Sequence, residues 1–405
     1  MKKNFIWMMS GQGVFSAMLW INMIVLAHLG GAKEVGYYSF ALSIVTPIAL
    51  LSNLSLRTIY VTDHSQKYSF GDYFILRLLS VPFACFAISF FGWLYSGNST
   101  QGWLIFLLGM AKLAENMSDM AYAIPHKYEN MERLVYSMMM RAVIGTFFLA
   151  LVFFLTQSLI MACIFYTGVW WGVFFLYDQR QMVDPWKEIW QQRFLAHKGR
   201  MFSLAWLALP MGLTSFVNAL ANSAPRYFVE YFLGPEKLGY FASMAYFIVV
   251  GFMVIGALGQ TLRPRLSKLY AQKNFTAFWR LTAIGSAISI FVGASFYVVT
   301  LLLGDLVLTL FYGVNFLVYA DLFPLIALSS IPFYLGGMWG FVLSAMGYYR
   351  TIFIIGIIIM IATILACWYG IPLYGLKGAV LGLGVCGITS LLSLLPILWV
   401  TYKQR

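Results

Sequence analysis

Ile352-Phe-Ile-Ile-Gly-Ile-Ile-Ile-Met-Ile-Ala-Thr-Ile-Leu365 carries no charge and no period-two alternation. A strand of a membrane barrel alternates apolar and polar residues over about ten positions, and this run does not. A helix satisfies its own backbone groups in lipid, so a run of this kind reads as part of a membrane-spanning helix. Comparable runs recur on both sides, each near the length of about 20 residues that crosses a hydrocarbon core. They cover 5–29, 37–60, 72–95, 102–124, 134–155, 159–177, 202–231, 239–260, 281–303, 320–345, 351–372 and 378–401. The composition agrees: 61% of the 405 residues are hydrophobic, 10% are charged and the mean hydropathy is +0.81, whereas a soluble chain carries about a quarter charged residues. The expected fold class is an all-α membrane protein of about twelve transmembrane helices.

A net charge of +12 in a soluble protein would point to nucleic acid, but here the cations are sorted by side. Lys2, Lys3, Lys127, Arg133, Arg180, Lys187, Arg200, Arg263, Arg265, Lys268, Arg350 and Lys403 fall with others on one face of the span pattern, and only Lys33, Lys237 and Lys377 fall on the opposite face. This asymmetry is the positive-inside rule; it places both termini in the cytoplasm and removes the support for nucleic-acid binding. Lys2 and Lys3 before an apolar run could mark a signal peptide, but Gly11, Gln12, Gly13 and Asn22 interrupt it, and it reads as a retained first helix. Cys85, Cys163, Cys367 and Cys386 all lie inside spans, as small apolar residues.

The longest polar interval, 178–200, follows six spans and precedes six more. It divides the chain into an N-terminal six-helix lobe (1–177), a cytoplasmic linker (178–200) and a C-terminal six-helix lobe (201–405). Gly31-Ala-Lys-Glu-Val-Gly36-Tyr37-Tyr38 recurs half a chain later as Gly234-Pro-Glu-Lys-Leu-Gly239-Tyr240-Phe241, each time between the first and second span of a lobe. An even number of spans per lobe makes this a parallel repeat about a pseudo-two-fold axis along the membrane normal.

An ionised side chain deep in a bilayer costs about 2.5 to 3.5 kcal/mol on insertion scales. Lys112, Glu115 and Asp119 share one face of the fourth span, and Arg141 enters from the fifth at a depth suited to pairing with Glu115 or Asp119. Two readings fit: a neutralised lock between two helices, or a gate and ion-coupling network. Two cations against two anions leave nothing spare for an anion, so an anion site needs another group. Arg226, after Pro225 and beside Asn218 and Asn222, is that candidate; alternatively it pairs with Glu230 or snorkels to the outer headgroups. Arg57 and Arg77 lie near cytoplasmic span ends, where snorkelling or capture of an anionic headgroup both fit. The segment Arg263, Arg265, Lys268, Lys273 reads as a positive-inside loop against anionic lipid. His28, His64, His126 and His197 show no ligand spacing, no metal site is expected, and no phosphate-binding Gly-rich loop occurs.

Lys112-Leu-Ala-Glu115-Asn-Met-Ser118-Asp119-Met-Ala-Tyr122, continued by Glu129, Met131, Ser137 and Arg141, resembles the fourth and fifth helices of Wzx-type flippases. These belong to the multidrug/oligosaccharidyl-lipid/polysaccharide exporter superfamily. Asn222-Ser-Ala-Pro225-Arg226-Tyr227, with Gly234 and Gly239-Tyr240, is similar to that family's seventh helix and following turn, and Gly36 to Ser39, Thr46-Pro47 and Asn53 to Arg57 are similar too. His126 departs from the glutamine that many relatives carry nearby. The resemblance implies two six-helix lobes in a V-shaped exporter that flips an undecaprenyl-diphosphate-linked oligosaccharide repeat unit from the cytoplasmic to the periplasmic leaflet for O-antigen or related surface polysaccharide.

On that reading Arg226, Asn222, Asn218, Arg57 and Arg77 bind substrate, while Lys112, Glu115, Asp119 and Arg141 form the ion-coupling or gating network. No cofactor is expected beyond H+ or Na+. The expected partners are the lipid-linked oligosaccharide, membrane lipids and other polysaccharide-assembly membrane proteins, with the protein itself a monomer. The rivals are a multidrug or cation exporter of the same superfamily, which should favour an acidic cavity, and a membrane enzyme of polysaccharide assembly, which would need a larger outer loop than this chain has.

Overall fold

The computed structural model describes residues 2–63, 68–95, 97, 99–128, 130–182 and 198–403. Among them there are helices and turns but no strand. The helices are α1 (Lys2–Asn53), α2 (Leu56–Thr62), α3 (Phe70–Leu94), α4 (Ser99–Ala121), α5 (Ala123–Lys127), α6 (Met131–Thr156), α7 (Leu159–Val173), α8 (Lys198–Leu233), α9 (Pro235–Ala271), α10 (Phe275–Tyr312), α11 (Leu322–Ala345), α12 (Tyr349–Tyr374), α13 (Leu376–Ser390) and α14 (Leu394–Lys403). A π-helical turn, Phe174–Asp178, closes α7.

Ten helical runs among the described residues are long and apolar enough to cross a membrane. The run Trp7–Thr62 holds two of the expected spans, and α4, whose Lys112, Glu115 and Asp119 lower its apolarity, stands outside the ten. The protein is therefore a multi-pass membrane protein whose helices follow the sequence expectation. Mid-helix side chains such as Phe83 (78% exposed) and Leu302 (76% exposed) need lipid as their solvent. All four cysteines are free thiols.

Two expectations about loops fail. The first two spans are not separated by a loop: α1 runs through, and only Gly31 leaves helical geometry. The basic segment expected as a loop is helical as well. Arg263, Arg265 and Lys268 lie on the last turns of α9, exposed, while Leu266 on the same turns is buried. Leu262, Leu266 and Leu269 keep helical spacing past the apolar stretch, and this amphipathic pattern continues the helix beyond the span. The chain turns only at Gln272–Asn274, with Lys273 at φ 55°.

The chain forms two compact units, one of residues 1–30 and 41–216 and one of residues 31–40 and 217–405. The linker expected at 178–200 falls mainly on 183–197, outside the described residues, as do His64, Lys67, Glu129, Lys187, Arg193, His197 and Arg405. Its first residue is not linker: Asp178 is fully buried.

Within the second unit the two copies of the repeated motif meet. Gly31 (φ 78°, ψ −173°) and Gly234 (φ 85°, ψ 174°) adopt the same backbone conformation, one that residues with a Cβ rarely take. Five residues on in each copy, a Cβ on Gly36 would collide with the Pro235 carbonyl, and one on Gly239 with the Ala32 carbonyl. The contact is reciprocal, as a two-fold repeat requires, and both glycines let backbone touch backbone.

Candidate functional site

The first unit places its charges around a break in a helix. Leu54 and Ser55 both sit at φ 51°, which ends α1 at Asn53 and restarts the chain as α2. A helix break within a membrane segment frees carbonyls that lipid cannot satisfy, so other groups must take them. Asn116 Nδ2 donates to the Ala49 carbonyl at 2.8 Å and Arg77 Nη1 donates to the Ser52 carbonyl at 2.8 Å. Asn53 Oδ1 accepts from the Ser55 amide at 3.1 Å. A polar Asn–Leu–Ser sequence thus becomes a discontinuity whose loose ends are held by side chains of α3 and α4.

Asp119 is the hub beside this break. Arg57 Nε lies 3.1 Å from one of its oxygens, Arg77 Nη2 lies 3.8 Å from the other, and Asn53 Nδ2 donates to it at 3.3 Å. Arg77 is fully buried, whereas the Arg57 side chain is 28% exposed. Neither arginine snorkels away from the protein, as an isolated cation near a span end would; each turns inward because Asp119 is there. Two guanidiniums on one carboxylate leave one positive charge over. His126, half-buried in α5, also faces Arg57 and Asp119; burial first, and then Arg57, hold its imidazole below its ordinary value of 6.5, against the opposing pull of Asp119.

The remaining members of the expected network separate into two groups. Lys112 Nζ donates to Glu115 at 2.6 Å, one turn away on α4. Arg141 does not pair directly with Glu115 or Asp119. Fully buried, it donates to the Tyr122 hydroxyl, itself 2.7 Å from Ser137 Oγ, and lies 5.3 Å from the centre of the Trp170 ring. Lys112 lies 5.8 Å from the same ring.

Sequence reasoning missed Asp178. The π turn at the end of α7 carries it inward, fully buried, beside Arg141, Ser118 and Ser137. A π turn is a common device for redirecting a side chain at a functional position. Its place at the edge of a polar interval made it look like solvent-facing linker; Asn53 and Asn116 were missed because uncharged amides raise no alarm in a span.

In the second unit, Asn218 and Asn222 line a cavity of about 420 Å³ whose wall also includes Phe252, Arg263, Phe333, Gly340 and Ser344. Arg226, farther along α8, is half-buried and is not part of that wall; the groups acting on it electrostatically are Tyr246 and Tyr227. The predicted substrate-binding residues are thus divided: Arg57 and Arg77 together in the first unit, Asn218 and Asn222 together in the second, and Arg226 in the second unit apart from that cavity.

No protein-family model matches the chain. The capsular polysaccharide biosynthesis protein CapF of Staphylococcus aureus is 27% identical over 396 residues, covering 97% of this chain and 98% of that protein. Among solved structures, the lipid II flippase MurJ in its inward closed conformation matches with a TM-score of 0.77 at 12% identity, covering 96% of this chain and 87% of MurJ. An inward-facing MATE-family multidrug resistance transporter of the MOP superfamily matches with a TM-score of 0.77 at 12% identity, covering 95% and 93%. The fold is accordingly that of the MOP-superfamily transporters and flippases.

Proposed function

We propose that this protein is a flippase for lipid-diphosphate-linked oligosaccharides in surface-polysaccharide biosynthesis. It turns an undecaprenyl-diphosphate-linked repeat unit, of O-antigen or capsular type, from the cytoplasmic to the periplasmic leaflet of a bacterial inner membrane, with both termini cytoplasmic. The observation that carries the reading is the pair Arg57 and Arg77 on the single carboxylate of Asp119. Guanidiniums bind phosphate oxygens through paired donors, so a diphosphate can take up the uncompensated charge and the exposed face of Arg57. Full-length similarity to a capsular polysaccharide biosynthesis protein and the fold of a lipid II flippase support the same substrate class.

The fold equally accommodates multidrug transporters. An organic cation, however, needs uncompensated acid, and the Asp119 cluster has the opposite balance. Translocation proceeds by alternating access, with Asp119 and the Lys112–Glu115 pair as the groups through which a proton or Na+ is coupled. Arg226 supplies a further cation in the second unit, tested separately. The chain acts alone as a monomer, with other assembly proteins as transient partners.

The test is uptake of radiolabelled undecaprenyl-diphosphate oligosaccharide into inverted membrane vesicles. Uptake is expected only with the protein present, falling at least tenfold in Arg57→Gln. Vesicles containing folded wild-type protein that take up no lipid-linked oligosaccharide would refute the reading.

A further inference from the structure

We infer that the cavity of the second unit is a saccharide subsite that holds sugar residues of the translocated lipid; the inference rests on the function proposed above. The cavity has about 420 Å³ of volume, within the range of small-molecule sites. It lies among α8, α9, α11, α12 and α13. Its chemistry is a mixture of neutral polar and aromatic groups: Asn218, Asn222 and Ser344 beside Phe252, Phe333 and Phe341.

Three features single out a sugar. First, the half-buried Asn218 and the exposed Asn222 both line the cavity, and Ser344 Oγ in the same wall is buried without a hydrogen-bond partner. An asparagine amide offers two donors and an acceptor, matching the vicinal hydroxyls of a sugar, and an unpaired buried hydroxyl is costly unless a ligand or water meets it. Second, Phe252 and Phe333 pack 5.4 Å apart at a 56° tilt, presenting apolar surface for the C–H face of a pyranose. Third, none of the wall residues is acidic and one, Arg263, is basic. The wall therefore suits neutral or acidic sugars and not an organic cation.

The glycines show how the space is kept. Gly356 brings its backbone against the Asn218 amide, where a Cβ would stand 3.1 Å from Oδ1. Gly340 lines the cavity and has nothing within 4 Å of where its Cβ would be. A side chain at Gly340 therefore starts without a clash at its Cβ, in the wall of the cavity. Gly256 on α9 has equally open surroundings and is not in the wall, so it serves as a control.

The experiment uses the full chain in lipid nanodiscs and, as probe, the free oligosaccharide released by mild acid from the producing strain's surface polysaccharide. Saturation-transfer NMR is expected to show binding to wild type and to Gly256→Trp at concentrations on the order of millimolar. Binding should weaken at least tenfold in Gly340→Trp and in the double variant Asn218→Ala/Asn222→Ala. Circular dichroism and gel filtration confirm that each variant is folded. The subsite is overturned if wild type binds no oligosaccharide, or if Gly340→Trp binds as wild type does. A wild type that flips lipid-linked oligosaccharide yet binds no free sugar would overturn the subsite and leave the flippase reading standing. A wild type that binds free sugar but flips nothing would do the reverse.

Discussion

The two units solve the problem of polarity inside a membrane in opposite ways. In the first, charges are concentrated around a helix break, where two guanidiniums share the single carboxylate of Asp119 and leave one positive charge over. In the second, the cavity wall is neutral apart from Arg263, and its polar groups are amides and hydroxyls. A charge within the bilayer is tolerated only with a partner, so a cluster of them implies a fixed geometry and a ligand of opposite sign. Amides and hydroxyls cost less to bury than charges and suit a ligand that varies in shape. The contrast matches a substrate that is itself divided into an anionic diphosphate and a neutral or weakly acidic glycan.

The contrast breaks most visibly at Asp119. Asp119→Asn leaves Arg57 and the fully buried Arg77 without their shared anion, and loss of one partner of a buried ion pair costs about 3–5 kcal/mol. A lowered unfolding midpoint in detergent should accompany loss of transport. Adding Arg77→Met to that variant removes the unpaired buried charge but also the donor to the Ser52 carbonyl, so it should restore part of the stability without restoring transport, whereas recovery of transport together with stability would mean that the cluster is only structural.

The repeat contact in the second unit comes next. Gly36→Ala or Gly239→Ala forces a methyl group against a backbone carbonyl, an overpacking worth about 1–3 kcal/mol, read as a lower unfolding midpoint. An unchanged midpoint in both would contradict the reciprocal contact.

Arg57→Gln sharpens the comparison in the other direction. Arg57 is partly exposed, and a pair of that kind contributes only about 0–1 kcal/mol, so the protein should melt nearly as wild type does while transport falls at least tenfold. A variant that transports normally would remove Arg57 from the diphosphate site.

The smallest effect concerns pH. His126 is held below its ordinary value, so on acidification the unfolded chain takes up a proton before the native imidazole does. Its contribution is complete above pH 6.5 and is lost as pH falls from there through the lower native value. The unfolding midpoint should therefore drop less on acidification in His126→Gln than in wild type; identical pH profiles would sink this assignment.

Much of this was legible before the structure. Continuous apolar runs identify spans because lipid imposes one period-independent demand, and the reciprocal Gly36–Gly239 contact was foreshadowed by the repeated Gly–x4–Gly–Tyr spacing. Lys112, Glu115 and Asp119 stood out because charge in a span is expensive. What the sequence concealed were partners fixed by tertiary geometry. Arg57 and Arg77 looked like span-end cations until the break at Leu54 and Ser55 brought Asp119 between them. Arg141 has a buried aspartate beside it that a π turn delivers. The helical extension of α9 was hidden because charge density outweighed the spacing of Leu262, Leu266 and Leu269.

The central claim is that the excess positive charge of the first unit serves an anionic lipid-linked sugar, and one competition measures it directly. Purified protein in proteoliposomes is offered a labelled undecaprenyl-diphosphate oligosaccharide together with a fluorescent organic cation. Translocation of the lipid-linked sugar, reduced at least tenfold by Arg57→Gln, is expected with no accumulation of the dye. Dye transport that is unaffected by that substitution, in vesicles that move no lipid-linked sugar, would contradict it.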